Sequence, residues 1–364
     1  MTTTVVEVKT ERIYYFDHLR VIASISVIVL HTAVLILNAQ RKLEVDFASM
    51  FNVANAYDSL LRFPVDCFFM IAGVLMFAPQ RRFRLAHQIR RVGIPLVSWS
   101  IVYAIANHVF YRQDQAIITS SYDGQGSLLS AVGDFFSGPL AYHLWFVYFL
   151  IGIYAVAPLV RPLMALPDGS SERLLRYALS LWLVFTVLLP TVAHVWPDTE
   201  LFYFASFPSF PAGYLGLPLL GYYLHITPLR IARPWLVCGF LLGVVATFLI
   251  TYLEETQRDQ SLWAFQNLAP GVVLSSACVF LLAKATFTGR GRNYRLISLY
   301  SRLSFRIYLL YALVLHYVRS LSPLNDWYRD QPLFGIPTVA ALTIVVTFAI
   351  ARAIDLIKPI RTYV

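Results

Sequence analysis

The sequence predicts an all-α integral membrane protein, with about ten transmembrane helices around an intramembrane polar cavity. Three observations carry that prediction. The chain has 364 residues, 58% apolar and 13% charged, where a soluble domain is about 25% charged. The apolar residues gather into runs of roughly 20, the length that spans a bilayer as a helix. The basic residues collect on one side of those runs.

Val21–Leu37, Leu60–Ala78, Val92–Phe110, Ala141–Val160 and Leu174–Ala193 are the first five runs. Phe207–Leu224 is the sixth, broken up by Pro208, Pro211 and Pro218. Such breaks persist at membrane depth only where neighbours satisfy the freed backbone groups. Trp235–Tyr252, Leu262–Ala283, Phe305–Leu321 and Phe334–Ala351 complete the set. The first run contains His31, lacks a small-residue cleavage site and is followed by nine others. It therefore reads as a span and not as a cleaved signal peptide. Cys67, Cys238 and Cys278 fall inside runs without CxxC spacing. They read as small core residues, not as disulfide or metal partners.

With a cytoplasmic N-terminus, seven basic residues fall outside: Arg41, Lys42, Arg62, Arg112, Arg258, Arg319 and Arg329. The other 22 of the 29 fall inside. This positive-inside bias places both termini in the cytoplasm. It also accounts for the net charge of +9 without a nucleic-acid partner. The turn Gln80–Arg91 holds five Arg: Arg81, Arg82, Arg84, Arg90 and Arg91. They either face anionic lipid headgroups or cradle a phosphate-rich ligand, since guanidinium forks match phosphate oxygens.

No soluble domain interrupts the series. The longest polar connections, Asn38–Ser59 and Tyr111–Leu140, are both expected outside. Asp123–Ser127 in the second is either a lid or a solvated linker. No internal repeat is visible, which weakens a transporter reading.

Ionisable groups within spans are costly and are functional candidates by default. His31 is the clearest. It follows Arg20 by eleven residues, about three helical turns, so both side chains share one face roughly 16–17 Å apart. Asp17 is placed to pair with Arg20. His143 opens the fourth span beside Tyr142 and Trp145, in the position of an aromatic belt. Arg306 and His316 lie in the ninth span, and Asp66 and His194 read as interfacial.

At these residues a resemblance emerges. Asp17-His18-Leu19-Arg20 with His31-Thr32 resembles the opening motif of the acyltransferase-3 family of bacterial integral-membrane O-acyltransferases. Phe68-Phe69-Met70-Ile71-Ala72-Gly73 resembles its second-helix signature, and Arg91-Val92-Gly93-Ile94-Pro95-Leu96 the start of its third helix. Tyr142-His143-Leu144-Trp145-Phe146 resembles its His-Leu-Trp-Phe motif. Gly221-Tyr222 resembles its small-aromatic pair, and Ile307-Tyr308-Leu309 its ninth-helix signature. The matches run in order over nearly the whole chain, and the first- and fourth-helix motifs look most like surface-polysaccharide O-acetyltransferases. Three positions depart from the family pattern. Ala72 stands where Ser is frequent, and Gln88 with Arg91 stands for a basic pair, with Arg90 as a substitute. Tyr311 stands where the ninth helix usually has His; whether His316 replaces it is open at this point.

The resemblance implies one transmembrane acyltransferase domain over residues 1–364, in the bacterial cytoplasmic (inner) membrane. It implies transfer of an acyl group, acetyl by default, from acetyl-CoA or another acyl-CoA to a hydroxyl of an envelope carbohydrate or lipid-linked glycan. Arg20 and His31 map onto the family's essential Arg and His. In that mechanism His31 is the general base or part of an acyl-handling centre, and His143 orients the acceptor hydroxyl or passes on its proton. Arg20, Arg90 and Arg91 hold the CoA phosphates, and Trp145, Tyr308 and His316 contact substrate. No HExxH motif or Ser nucleophile elbow is present, so no metal is expected. Two readings compete. One is a transporter or flippase for a lipid-linked sugar. The other is a haem protein, which would need two His at matched depth, whereas His31 and His143 are expected at different depths.

Overall fold

The computed structural model describes residues 12–40, 47–111, 130–196, 212–257, 262–321 and 324–357. All regular elements among them are helical. In order they are α1 (Tyr14–Gln40), α2 (Phe47–Leu60), α3 (Pro64–Phe77), α4 (Leu85–Tyr111), α5 (Ser130–Ser137), α6 (Trp145–Met164) and α7 (Ser170–Trp182). Then come α8 (Leu189–Val195), α9 (Ala212–Ile226), α10 (Arg233–Gln257), α11 (Pro270–Thr286), α12 (Tyr294–Ser320), α13 (Leu324–Asp330) and α14 (Pro332–Leu356). Eight segments among the described residues are long and apolar enough to cross a membrane. A ninth is added if α12 and α13, bent by 94°, form one broken span. The sixth expected span corresponds to α9, which has 15 residues; residues 207–211 lie outside the described ones. So do residues 1–11 and 358–364, and the Asp123–Ser127 stretch.

The outer faces are what lipid requires. Val97, Ile101 and Ile105 recur every four residues along α4, and Ile101 is 56% exposed. An aliphatic stripe of that kind suits hydrocarbon and not water. Cys238 is exposed on α10, whereas Cys67 and Cys278 are buried, and all three are free.

One expected loop is a helix. Much of Asn38–Ser59 forms α2, which packs on α1 and α10 and joins α3 in a span from Met50 to Phe77. Its buried positions, Phe51, Ala54, Asn55, Asp58 and Ser59, keep helical spacing, but three of the five are polar, so hydropathy alone hides them. Asn55 donates to the carbonyl of Phe248 at 3.2 Å and accepts from Ser59 at 3.0 Å. Pro64 restarts the helix at the first position of α3, where its missing N–H costs nothing. Farther along, a π-helical turn at Leu183–Leu188 joins α7 to α8. Pro190 explains it, because proline cannot donate to the preceding turn.

α1 is the hub. It packs against α2, α3, α11, α12 and α14, so the helix carrying Arg20 and His31 is enclosed by five others. α3 in turn meets α9 backbone to backbone. A Cβ on Gly73 would sit 2.0 Å from the Pro218 carbonyl oxygen, and one on Gly221 would sit 2.3 Å from the Met70 Cα. Small residues let membrane helices approach this closely. Gly73→Ala is therefore expected to destabilise the solubilised protein by about 1–3 kcal/mol, read as a lower thermal midpoint. Gly93→Ala, whose Cβ would meet nothing within 4 Å, is expected to leave the midpoint equal or higher.

Candidate functional site

Two cavities lie one above the other along the helix axes. The first, about 770 Å³, is lined by Arg20 near the start of α1, Arg81 and Arg82 after α3, Arg91 in the first turns of α4 and Arg302 on α12. The second, about 390 Å³, is lined by His31 farther along α1, Arg62 just before α3, and His143 just before α6. Antiparallel α1 and α3 thus each contribute one end to each cavity. Phe68, Phe146 and Tyr308 line both, forming an aromatic collar between them. Ring centroids are 6.1 Å apart for Phe68–Phe146 and 5.7 Å for Phe146–Tyr308.

The basic cavity is held from behind. The buried Asp17 carboxylate accepts from Arg12 Nε at 2.9 Å, Tyr294 Oη at 2.5 Å and Ser301 Oγ at 2.7 Å. Arg20 Nη1 lies 3.9 Å from Asp17 Oδ1. Asp17 thereby ties α1 to α12 and aims Arg20. On α6, Arg161 donates to the carbonyls of Met76, Ala78 (3.1 Å), Pro79 (3.5 Å) and Arg81 (2.6 Å). These are orphan acceptors at the C-terminal end of α3, where a cation is also favoured by the helix dipole. Arg161 so fixes the turn that presents Arg81 and Arg82.

His31 and His143 line the second cavity, and four tyrosine rings pack against His143. His31 Nδ1 lies 2.9 Å from the Val27 carbonyl oxygen and 3.1 Å from Tyr311 Oη. A carbonyl only accepts, so Nδ1 carries the proton and Nε2 keeps its lone pair. His143 is buried beside the Leu309 carbonyl, but neither ring nitrogen makes a hydrogen bond of normal geometry among the described residues. Such an unpaired buried group costs about 1–3 kcal/mol and in a native site asks for a ligand or water partner. The rings of Tyr103, Tyr142, Tyr308 and Tyr311 surround His143 at 5.1–5.4 Å. Tyr308 also donates to the His143 carbonyl. Arg62 pairs with the buried Asp58 at 2.6 Å and stacks on Phe265 at 4.4 Å.

Most expected site residues converge here. Arg20 and Arg91 line the basic cavity, His31, His143 and Trp145 the histidine cavity, and Tyr308 both. Arg90 is exposed and absent from the lining, whereas Gln88 is part of it. His316 lines neither cavity; its Nε2 lies 3.5 Å from Ser320 Oγ. The position beside His31 belongs to Tyr311 instead. His31 and His143, expected at different depths, share one cavity. That overturns the depth argument against haem. The rings of Tyr142 and Tyr311 each contact both histidines, with centroids within 5.6 Å. Asp66 and His194, read as interfacial, are engaged: Asp66 Oδ2 accepts from Ser276 at 3.0 Å, and His194 Nε2 lies 2.6 Å from Glu254. Arg62, Arg161 and Arg302 serve the site without a motif that marks them. For Arg62 the signal available was its place two residues before a helix-starting proline.

The arrangement suits a polyanion at one end and proton transfer at the other, with a narrow aromatic passage between them. A family model described as an acyltransferase domain matches residues 13–352. Neither the curated proteins nor the solved structures give a match. Removing the Asp17 carboxylate leaves three donors without their acceptor. Asp17→Ala is expected to destabilise the protein by about 3–5 kcal/mol, the range for breaking a buried ion pair. Asp17→Asn, which keeps one acceptor, should cost less, measured by thermal or denaturant midpoints in one detergent.

Proposed function

The chain belongs to this family of membrane acyltransferases, and from that premise we propose that it transfers an acyl group, acetyl by default, from an acyl-CoA to a hydroxyl of an envelope carbohydrate or lipid-linked glycan in the bacterial inner membrane. The observation that carries this reading is the pair of cavities joined at the collar. A polyphosphate head fits the arginine end. A thin pantetheine arm suits a passage between Phe68, Phe146 and Tyr308, and delivers its thioester toward His31.

In this reading the acceptor enters the histidine cavity, where Trp145 and Tyr214 offer aromatic faces and Gln266 and Asn267 offer hydrogen bonds. His31 Nε2 takes the hydroxyl proton as the oxygen attacks the thioester carbonyl. The new C–O bond forms, the C–S bond breaks, and the proton passes from Nε2 to the departing thiolate, giving the ester and free CoA. His143 supplies an N–H to the acceptor hydroxyl or to the developing oxyanion; hydrogen bonds aimed where charge develops lower the barrier. The Val27 carbonyl and Tyr311 hold the His31 ring in the required tautomer, so the base is oriented before substrate arrives.

Membranes containing the wild-type protein are expected to move radiolabelled acetyl from acetyl-CoA into envelope carbohydrate. His31→Ala should lower the rate by about 10²–10⁴-fold, the contribution of a positioned base. Full activity in His31→Ala, at equal protein in the membrane, would remove His31 from the chemistry. Arg91→Gln should raise the half-saturating acetyl-CoA concentration about tenfold or more with a smaller effect on the maximal rate; an unchanged value would take Arg91 out of donor binding.

A further inference from the structure

A third cavity, about 430 Å³, opens beside the basic one. The two share Arg20, Leu75, Arg81, Ser301 and Arg302, so they are lobes of one space. Each lobe also has basic groups of its own. Arg82 and Arg91 belong to the main lobe, which reaches the aromatic collar. Arg12 belongs to the side lobe, which contains none of the collar residues. The side lobe therefore holds Arg12, Arg20, Arg81 and Arg302 around one carboxylate, Asp17. That carboxylate already accepts from Arg12, Tyr294 and Ser301. Arg12 is positioned further by a 2.9 Å hydrogen bond to Ser298, another wall residue. Arg302 lies 3.5 Å from Asp355, a carboxylate that Arg306 and Arg352 also pair with. Its guanidinium is thus available to a second anion without leaving Asp355 bare.

Two arginine groups in two lobes ask for a ligand with two separated anionic positions. We propose that the side lobe is a distinct phosphate subsite, in which Arg302 and Arg12 hold the ribose 3′-phosphate of the acyl-CoA donor, while Arg82 and Arg91 in the main lobe hold its pyrophosphate. The assignment of lobes follows from connectivity. The pantetheine arm leaves from the pyrophosphate, so the pyrophosphate belongs in the lobe that meets the collar. The 3′-phosphate branches from the ribose on the far side of the pyrophosphate, away from that arm. This inference rests on the acyl-CoA reading above and adds to it a rule for choosing among donors: a thioester lacking the 3′-phosphate is a poor ligand.

The test is calorimetric titration of the purified full-length protein in lipid nanodiscs with CoA and with dephospho-CoA, which needs no acceptor. The wild type is expected to bind CoA about 10- to 100-fold more tightly, the worth of one charge-assisted contact. Arg12→Gln, at the arginine that lines the side lobe alone, should weaken CoA toward the dephospho-CoA value while leaving dephospho-CoA nearly unchanged. Arg82→Gln should weaken both ligands by the same factor. Equal wild-type affinity for the two ligands overturns the subsite and leaves the donor assignment standing, and this comparison requires no variant. A parallel loss of both ligands in Arg12→Gln also overturns it. Binding of neither ligand removes the acyl-CoA reading and the subsite together.

Discussion

Hydrocarbon offers no hydrogen bonds, and that absence shapes the site. Every polar group carried to membrane depth must find its partner within the protein. Asp17 collects three donors, two from α12 and one from Arg12 just before α1. Arg161 caps four carbonyls at the end of α3. Lys284 does the same for α9, donating to Leu224 and His225 at 2.7 Å and to Thr227 at 3.1 Å. The Val27 carbonyl orders the His31 ring. These bonds hold the bundle together and, in the same act, set the direction of each reactive side chain. His143 differs from His31 in that neither of its ring nitrogens makes a hydrogen bond of normal geometry among the described residues, and it borders open cavity space where a ligand group or water can reach it.

Position follows from the same economy of packing. Because α1 is enclosed by five helices, Arg20 and His31 face cavities and not lipid. Because Gly73 and Gly221 let α3 and α9 close to backbone contact, the Phe68 face of α3 is held against α6, where Phe146 completes the collar. The two chemical tasks, holding a polyanion and moving a proton, are thereby separated along one helix. In the proposed reading the anionic head of the donor stays among the arginines of the basic cavity, and its thin arm crosses the aromatic collar. Little charge has to enter the low-dielectric middle of the bundle, where it would be expensive.

Much of this was legible in the sequence. Runs of bilayer length gave the all-helical membrane class, and the eleven-residue interval gave the shared face of Arg20 and His31. What escaped notice did so for physical reasons. α2 buries Asn55 and Asp58, so its inward face does not look apolar, and a hydropathy window reads it as a loop. Arg90 and Arg91 are adjacent, and only the helix phase decides which meets the cavity; it is Arg91. His316 and Tyr311 share a helix, yet five residues rotate them apart, and Tyr311 is the one that meets His31. Arg161 and Arg302 looked like topology charges, because their partners are distant along the chain, 80 or more residues in Arg161's case; Arg62 has a local partner in Asp58, and only the fold shows that it borders the histidine cavity.

The central claim is that an acyl group leaves through the histidine cavity onto an envelope carbohydrate. Mass spectrometry of envelope glycans from cells with and without the protein tests it most directly. The account predicts an acyl-sized mass, 42 units for the default acetyl by elementary composition (about one C₂H₂O), present only in cells that carry the protein. Identical glycan masses in the two strains would contradict it.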